Sequence, residues 1–142
     1  MFCWFIGTAI VSVWAIFRDP RFDYRLLVVG SVVPLLDALT GGVWVLHTLA
    51  FGLVVMIAVM LTTLGRRPGR AILLGLPIGL MLHLVFDGVW TDADLFWWPL
   101  GGWELDGRLP EAERGWWNVP LEAIGLALLV WAWRRRLLPG RR

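Results

Sequence analysis

The stretch VWVLHTLAFGLVVMIAVMLTTL, residues 43–64, runs for 22 positions without an Asp, Glu, Lys or Arg. About 20 predominantly apolar residues suffice for a helix to cross the hydrocarbon of a bilayer. The rest of the chain is of the same kind. Of its 142 residues 58% are hydrophobic and only 17% charged, with a mean hydropathy of +0.70. Soluble domains carry about 45–50% apolar and about 25% charged residues, and disorder requires low hydrophobicity with high net charge. Both classes are excluded. The composition predicts an all-α, polytopic membrane bundle forming a single domain over 1–142.

Outward from 43–64, four more apolar segments are read at about 2–17, 26–40, 71–90 and 117–133. The first has neither the basic n-region nor the small-residue cleavage site of a signal peptide, and is expected to remain as a helix. The second is interrupted by Pro34 just before Asp37, which points to a kinked or re-entrant helix. Thr40-Gly41-Gly42 is a turn leading into the third.

All 13 basic residues are arginines. Arg18, Arg21 and Arg25 lie between the first two segments, and Arg66, Arg67 and Arg70 between the third and fourth. Arg134, Arg135, Arg136, Arg141 and Arg142 follow the fifth. If every segment crosses, these all fall on one side, so the positive-inside rule predicts an outward amino terminus and an inward carboxyl terminus. The expected location is the cytoplasmic (inner) membrane, multi-pass. The basic tail suits anionic headgroups, not nucleic acid. The external connection, 91–116, sets six acids against Arg108 and Arg114 and carries Trp97, Trp98, Trp103 and Trp116, with Trp90 and Trp117 at its edges. Indoles favour the headgroup region, which makes the loop either an interfacial belt or a lid over a site that meets lipid.

Ionisable residues inside apolar segments are costly, by roughly 2.5–3.5 kcal/mol on insertion scales, and face partners or water. In the five-span orientation Asp37, His47, His83, Asp87 and Glu122 all fall near the external face. His83 and Asp87 are four residues apart, on one helix face. Two His and two Asp make a mixed N/O set suited to Zn²⁺, with Mn²⁺ or Fe²⁺ as alternatives. The lone Cys3 excludes an intrachain disulfide. Ser12 and Ser31, the only serines, are not expected at this depth, which disfavours a Ser-His-Asp reading. Ala71, Gly75 and Gly79 form a small-residue series that permits close helix approach, within the chain or in a homo-oligomer.

Pro34-Leu35-Leu36-Asp37, Leu46-His47-Thr48, His83-Leu84-Val85-Phe86-Asp87 and Trp97-Trp98-Pro99-Leu100 follow one another in an order that resembles the YdjM-like family of bacterial inner-membrane metal-dependent hydrolases. The order is also similar to one zinc site of the zinc phospholipase C and single-strand nuclease superfamily. The resemblance implies Asp37, His47, His83 and Asp87 as metal ligands. Leu35 stands where the family has an acid, and Leu49 rather than Ser follows Thr48. Two histidines cannot build a three-zinc cluster, so a single metal is expected. Membrane lipids are the expected partners. The function expected is metal-dependent hydrolysis of a phospholipid or lipid-linked ester at the external face, with Glu122 or Asp92 as general base. The alternative is a non-catalytic membrane module, its metal or polar cluster fixing helix packing and its Trp-rich loop docking a partner. A transporter or proton relay is disfavoured because no internal repeat is evident.

Overall fold

The computed structural model describes residues 1–19, 22–40, 45–103, 114–135 and 137, the side chains of 38–40 aside. Among them all regular secondary structure is helical, with no strand. We number the α-helices α1 (Phe2–Phe17), α2 (Tyr24–Val32), α3 (Leu49–Thr62), α4 (Arg67–Leu73), α5 (Gly75–Asp87), α6 (Ala93–Phe96) and α7 (Asn118–Arg134).

Local chemistry sets these boundaries. The Asp23 side chain caps α2 by accepting from the Arg25 N–H at 3.0 Å. At Val33 the coil tightens into a 3-10 turn that runs through Thr40. Pro34 lies at this change of pitch and has no N–H to donate to Gly30, so the second apolar segment is interrupted where the sequence predicts. The α4–α5 junction has the same cause. Pro77 cannot donate to Leu73, and the α-helix yields at Leu74 before resuming. Together Arg67–Asp87 make 21 residues, the one described stretch long and apolar enough to cross a membrane. Phe2–Phe17 and Leu49–Thr62 are apolar but shorter.

The helices pair along two seams. In the first, α2 lies on α5, and glycines let their backbones nearly touch. A Cβ on Gly79 would lie 2.7 Å from the Ser31 nitrogen and closer still to the Leu27 carbonyl oxygen, and one on Gly30 would meet the Leu76 carbonyl. In the second, α1 lies on α7. A Cβ on Gly7 would stand 2.6 Å from the Gly125 carbonyl oxygen, and one on Gly125 would overlap the backbone of Cys3 and Trp4. Gly75 and Gly79 of the predicted small-residue series thus make an internal contact, while Ala71, on α4, is exposed. Ala9, Ile10 and Val13 of α1 join Tyr24 and Leu27 of α2 and Ala132 of α7 in the buried apolar core. Outside it, large apolar side chains face outward, among them Val54, Ile57 and Leu61 on α3 and Ile124, Leu126 and Trp133 on α7.

Candidate metal centre

Three polar side chains meet in the interior between the 3-10 turns and the end of α5. His47 closes a short 3-10 turn, Val45–His47. Thr48 follows in an extended conformation, its hydroxyl accepting from the Phe51 N–H at 3.2 Å and so capping α3. This cap explains a difference from the sequence reading, which put His47 inside the third apolar segment. The threonine hydroxyl competes for the first free amides and starts the α-helix only at Leu49, which leaves His47 on the turn before it. His83 and Asp87 share one face of α5, as their spacing predicts. Gly88 then ends the helix with φ 73°, a left-handed conformation that glycine takes at no steric cost. All three side chains are buried.

Each member of the trio has one atom engaged outward and one left facing inward. His83 Nδ1 lies 2.8 Å from the Ser31 carbonyl oxygen. A carbonyl can only accept, so Nδ1 carries the proton and a neutral ring keeps its lone pair on Nε2. His47 Nδ1 lies 2.8 Å from Asp37 Oδ2, and the carboxylate imposes the same tautomer on that ring. Asp87 Oδ1 accepts from Arg114 Nη2 at 2.6 Å, and the same nitrogen donates to the Asp87 carbonyl. The remaining atoms, His47 Nε2, His83 Nε2 and Asp87 Oδ2, are buried without a hydrogen-bond partner. His47 Nε2 stands 3.8 Å from Asp87 Oδ2, beyond hydrogen-bond length. Phe5 stacks on the His83 ring with centroids 3.9 Å apart, and the two imidazoles meet edge to face at 5.3 Å.

With both rings neutral, two nitrogen lone pairs and a carboxylate oxygen are buried together with no donor among them, and such desolvated acceptors cost about 1–3 kcal/mol each if nothing satisfies them. A cation satisfies all three at once. Donor atoms from His47, His83 and Asp87 lie within 4.8 Å of one another, and the group could hold a metal ion. The outward bonds are those that metal sites use to fix a ligand's tautomer and orientation.

The structure sorts the expected site residues. His47, His83 and Asp87 are brought together. Asp37 is buried beside them, but its Oδ2 engages the outer nitrogen of His47, which places it behind a donor as an orienting group. Glu122 is elsewhere. Its Oε1 accepts from the Cys3 N–H and its Oε2 from the Trp4 N–H, both at 3.1 Å, so it satisfies the free amides that open α1. Asp92 is exposed and caps α6, accepting from the Leu95 N–H at 3.3 Å. The acids expected to act as general base therefore both cap helix starts. Ser31 does reach this level, contrary to expectation. It contributes its carbonyl, while its hydroxyl donates back to Val28 at 2.9 Å, so no serine nucleophile is presented to either imidazole.

Arg114 and Phe5 were not anticipated. The one signal for Arg114 is its isolation, one of two arginines in the acidic connection 91–116. Nothing in the sequence marks Phe5 among its apolar neighbours. Comparison with family models, curated proteins and solved structures returns no match, so the site is read from its geometry.

Proposed function

We propose that this chain is a small membrane-embedded, metal-dependent hydrolase that holds one divalent ion, zinc in the first instance, on His47, His83 and Asp87. The observation that carries the reading is the convergence of three unpartnered acceptor atoms whose opposite atoms are each tied down. Three protein donors are also the number that catalytic zinc sites use, leaving a further position for water or substrate. A metal held there supplies Lewis acidity and an activated water at neutral pH. The chain's own part is to orient both imidazoles through Asp37 and Ser31, to hold the Asp87 carboxyl in place through Arg114, and to keep the site dry by burial. The YdjM-like resemblance points the same way.

The substrate class in this reading is a phospholipid or lipid-linked ester met at the external face. Five crossings, an outward amino terminus and a multi-pass inner-membrane location complete it. Support comes from the outward-facing apolar side chains of α3 and α7 and from the exposed tryptophans. Trp90, Trp97, Trp103, Trp116 and Trp117 all stand open to the surroundings, as residues of a headgroup belt do.

The engagement of Glu122 and Asp92 as helix caps favours a second reading, a structural metal without turnover. One preparation tests both. Metal is measured per chain in detergent-purified wild type, His83→Ala and Asp87→Ala, and the loaded wild type is screened on phosphoesters and acyl esters. About one metal per wild-type chain, lost in both variants, is expected, with hydrolysis on at least one substrate. Metal without hydrolysis leaves the structural reading. Well-folded wild type that takes up no metal removes both.

A further inference from the structure

The two imidazoles of the metal group are held unequally. His47 Nδ1 meets a carboxylate, Asp37 Oδ2, whereas His83 Nδ1 meets only the Ser31 carbonyl, both at 2.8 Å. Hydrogen bonds to an ionised acceptor are roughly twice as strong as neutral ones, so His83 has the weaker tether. One hydrogen bond also fixes a point of a ring and leaves its plane free to tilt, which swings the Nε2 lone pair off its target. A second contact restrains that plane. The Phe5 ring lies over His83 with centroids 3.9 Å apart and planes 28° from parallel, and His83 meets His47 edge to face at 5.3 Å. Phe5, His83 and His47 thus form one train of rings. The phenyl end of the train is itself fixed: Phe5 is buried, and Trp4 before it is tied twice, its N–H to Glu122 at 3.1 Å and its Nε1 to the Phe86 carbonyl at 3.3 Å.

We infer that Phe5 is a positioning residue of the metal centre, acting through His83: its ring sets the imidazole plane and so aims Nε2 at the ion. The inference rests on the metal reading proposed above and adds to it a side chain that has no donor atom. Two effects act together. The stack removes the tilt that the Ser31 bond permits. It also favours the loaded state, because an imidazole that donates to a cation gains positive character, and an aromatic face attracts positive charge within about 6 Å of its centroid. An aliphatic side chain of similar bulk fills the space and supplies neither effect. The start of α1 is thereby a wall of the metal centre, although none of the three donors lies on α1.

The test separates positioning from packing. Zinc affinity, the visible spectrum of bound Co²⁺ and thermal stability are measured on detergent-purified wild type, Phe5→Leu, Phe5→Tyr and Val13→Ala. Val13 belongs to the buried core further along α1 and serves as the packing control. Phe5→Leu is expected to bind zinc at least tenfold more weakly and to shift the Co²⁺ bands, which report the geometry of the donors. Phe5→Tyr keeps the aromatic face but buries a hydroxyl, so it should lose stability while holding zinc affinity within a few-fold of wild type. Val13→Ala should lose stability with affinity and spectrum unchanged. The order of affinities then departs from the order of stabilities, which a purely structural role for Phe5 would not produce. A leucine variant that binds zinc as tightly as wild type with the same Co²⁺ spectrum overturns the inference. So does a folded tyrosine variant that loses as much affinity as the leucine one, or a Val13→Ala protein that does. Should Phe5→Leu not fold, Phe5→Met takes its place under the same criteria, and failure of both to fold while Phe5→Tyr folds without binding zinc also overturns it. Wild type that takes up no zinc is the separate failure of the underlying metal reading.

Discussion

The α2–α5 and α1–α7 seams are built alike and end differently. Each brings two helices to backbone contact through facing glycines, Gly30 with Gly79 in one and Gly7 with Gly125 in the other. Each puts a polar tie about one turn from its glycine, His83 to the Ser31 carbonyl at 2.8 Å and Glu122 to the Cys3 and Trp4 amides at 3.1 Å. On the α1–α7 seam both carboxylate oxygens find donors and the contact is complete. On the α2–α5 seam the tie uses one ring nitrogen and leaves the other facing His47 and Asp87, buried and unpartnered. Close helix approach alone therefore does not mark a site. What separates the two seams is whether the polar group they bury is satisfied within the chain.

The largest effect expected of any single substitution comes from widening a seam. Gly79→Ala would drive its methyl into the Leu27 carbonyl and the Ser31 nitrogen, and Gly125→Ala into the Cys3–Trp4 backbone. Each is expected to lower stability by about 1–3 kcal/mol or more, the range for overpacked interiors. Only Gly79→Ala should also strip metal from the protein that remains folded, because it moves Ser31 away from His83. Thermal unfolding in detergent, with metal content measured on the folded fraction, separates the two effects. Equal metal retention in both variants would make the seams equivalent and end the comparison.

Asp37→Asn sharpens the comparison from the other side. It keeps the shape of the residue behind His47 but removes the charge that fixes the ring's tautomer. Losing such an orienting partner typically weakens metal affinity by about 10–100-fold. That loss is expected here with folding retained, read by competition against a chelating dye. Complete loss of metal would instead make Asp37 a ligand in its own right, as the motif resemblance implies.

The fold and the site were legible to different depths. Helices were readable because apolar runs and arginine clusters bound them, and Phe2–Phe17 coincides with its predicted segment. His83 and Asp87 were readable because four-residue spacing on a helix fixes a shared face. His47 was found as a residue but not as a conformation, since one threonine cap decided where α3 begins. The partners of Glu122 were hidden for a related reason. Its two donors lie 118 and 119 residues away, on α1, where no local pattern points. Arg114 and Ser31 could not be paired with Asp87 and His83 from the sequence, because those bonds span 27 and 52 residues and rest on helix packing that no local pattern encodes. The orienting groups are thus the hardest part of the site to read, and the donors the easiest.

The smallest effects should come from the two carboxylates that already have what they need. Glu122→Ala removes two charge-assisted bonds to backbone amides in a partly exposed position, and a loss of about 1–2 kcal/mol is expected. Asp92→Ala removes the cap of a four-residue helix on the surface, where about 0.5–1 kcal/mol is the expected scale. Neither should change metal content. If Glu122→Ala kept its stability but lost hydrolysis in the loaded protein, its carboxylate would have to leave the α1 amides during turnover, and the satisfied seam would belong to the site after all. Asp92→Ala offers no comparable route. Its side chain turns back on its own α6 amide, so any change in metal content there would have to pass through the four residues joining it to Asp87. Gly88, at φ 73°, already fixes the start of that connection without help from the cap.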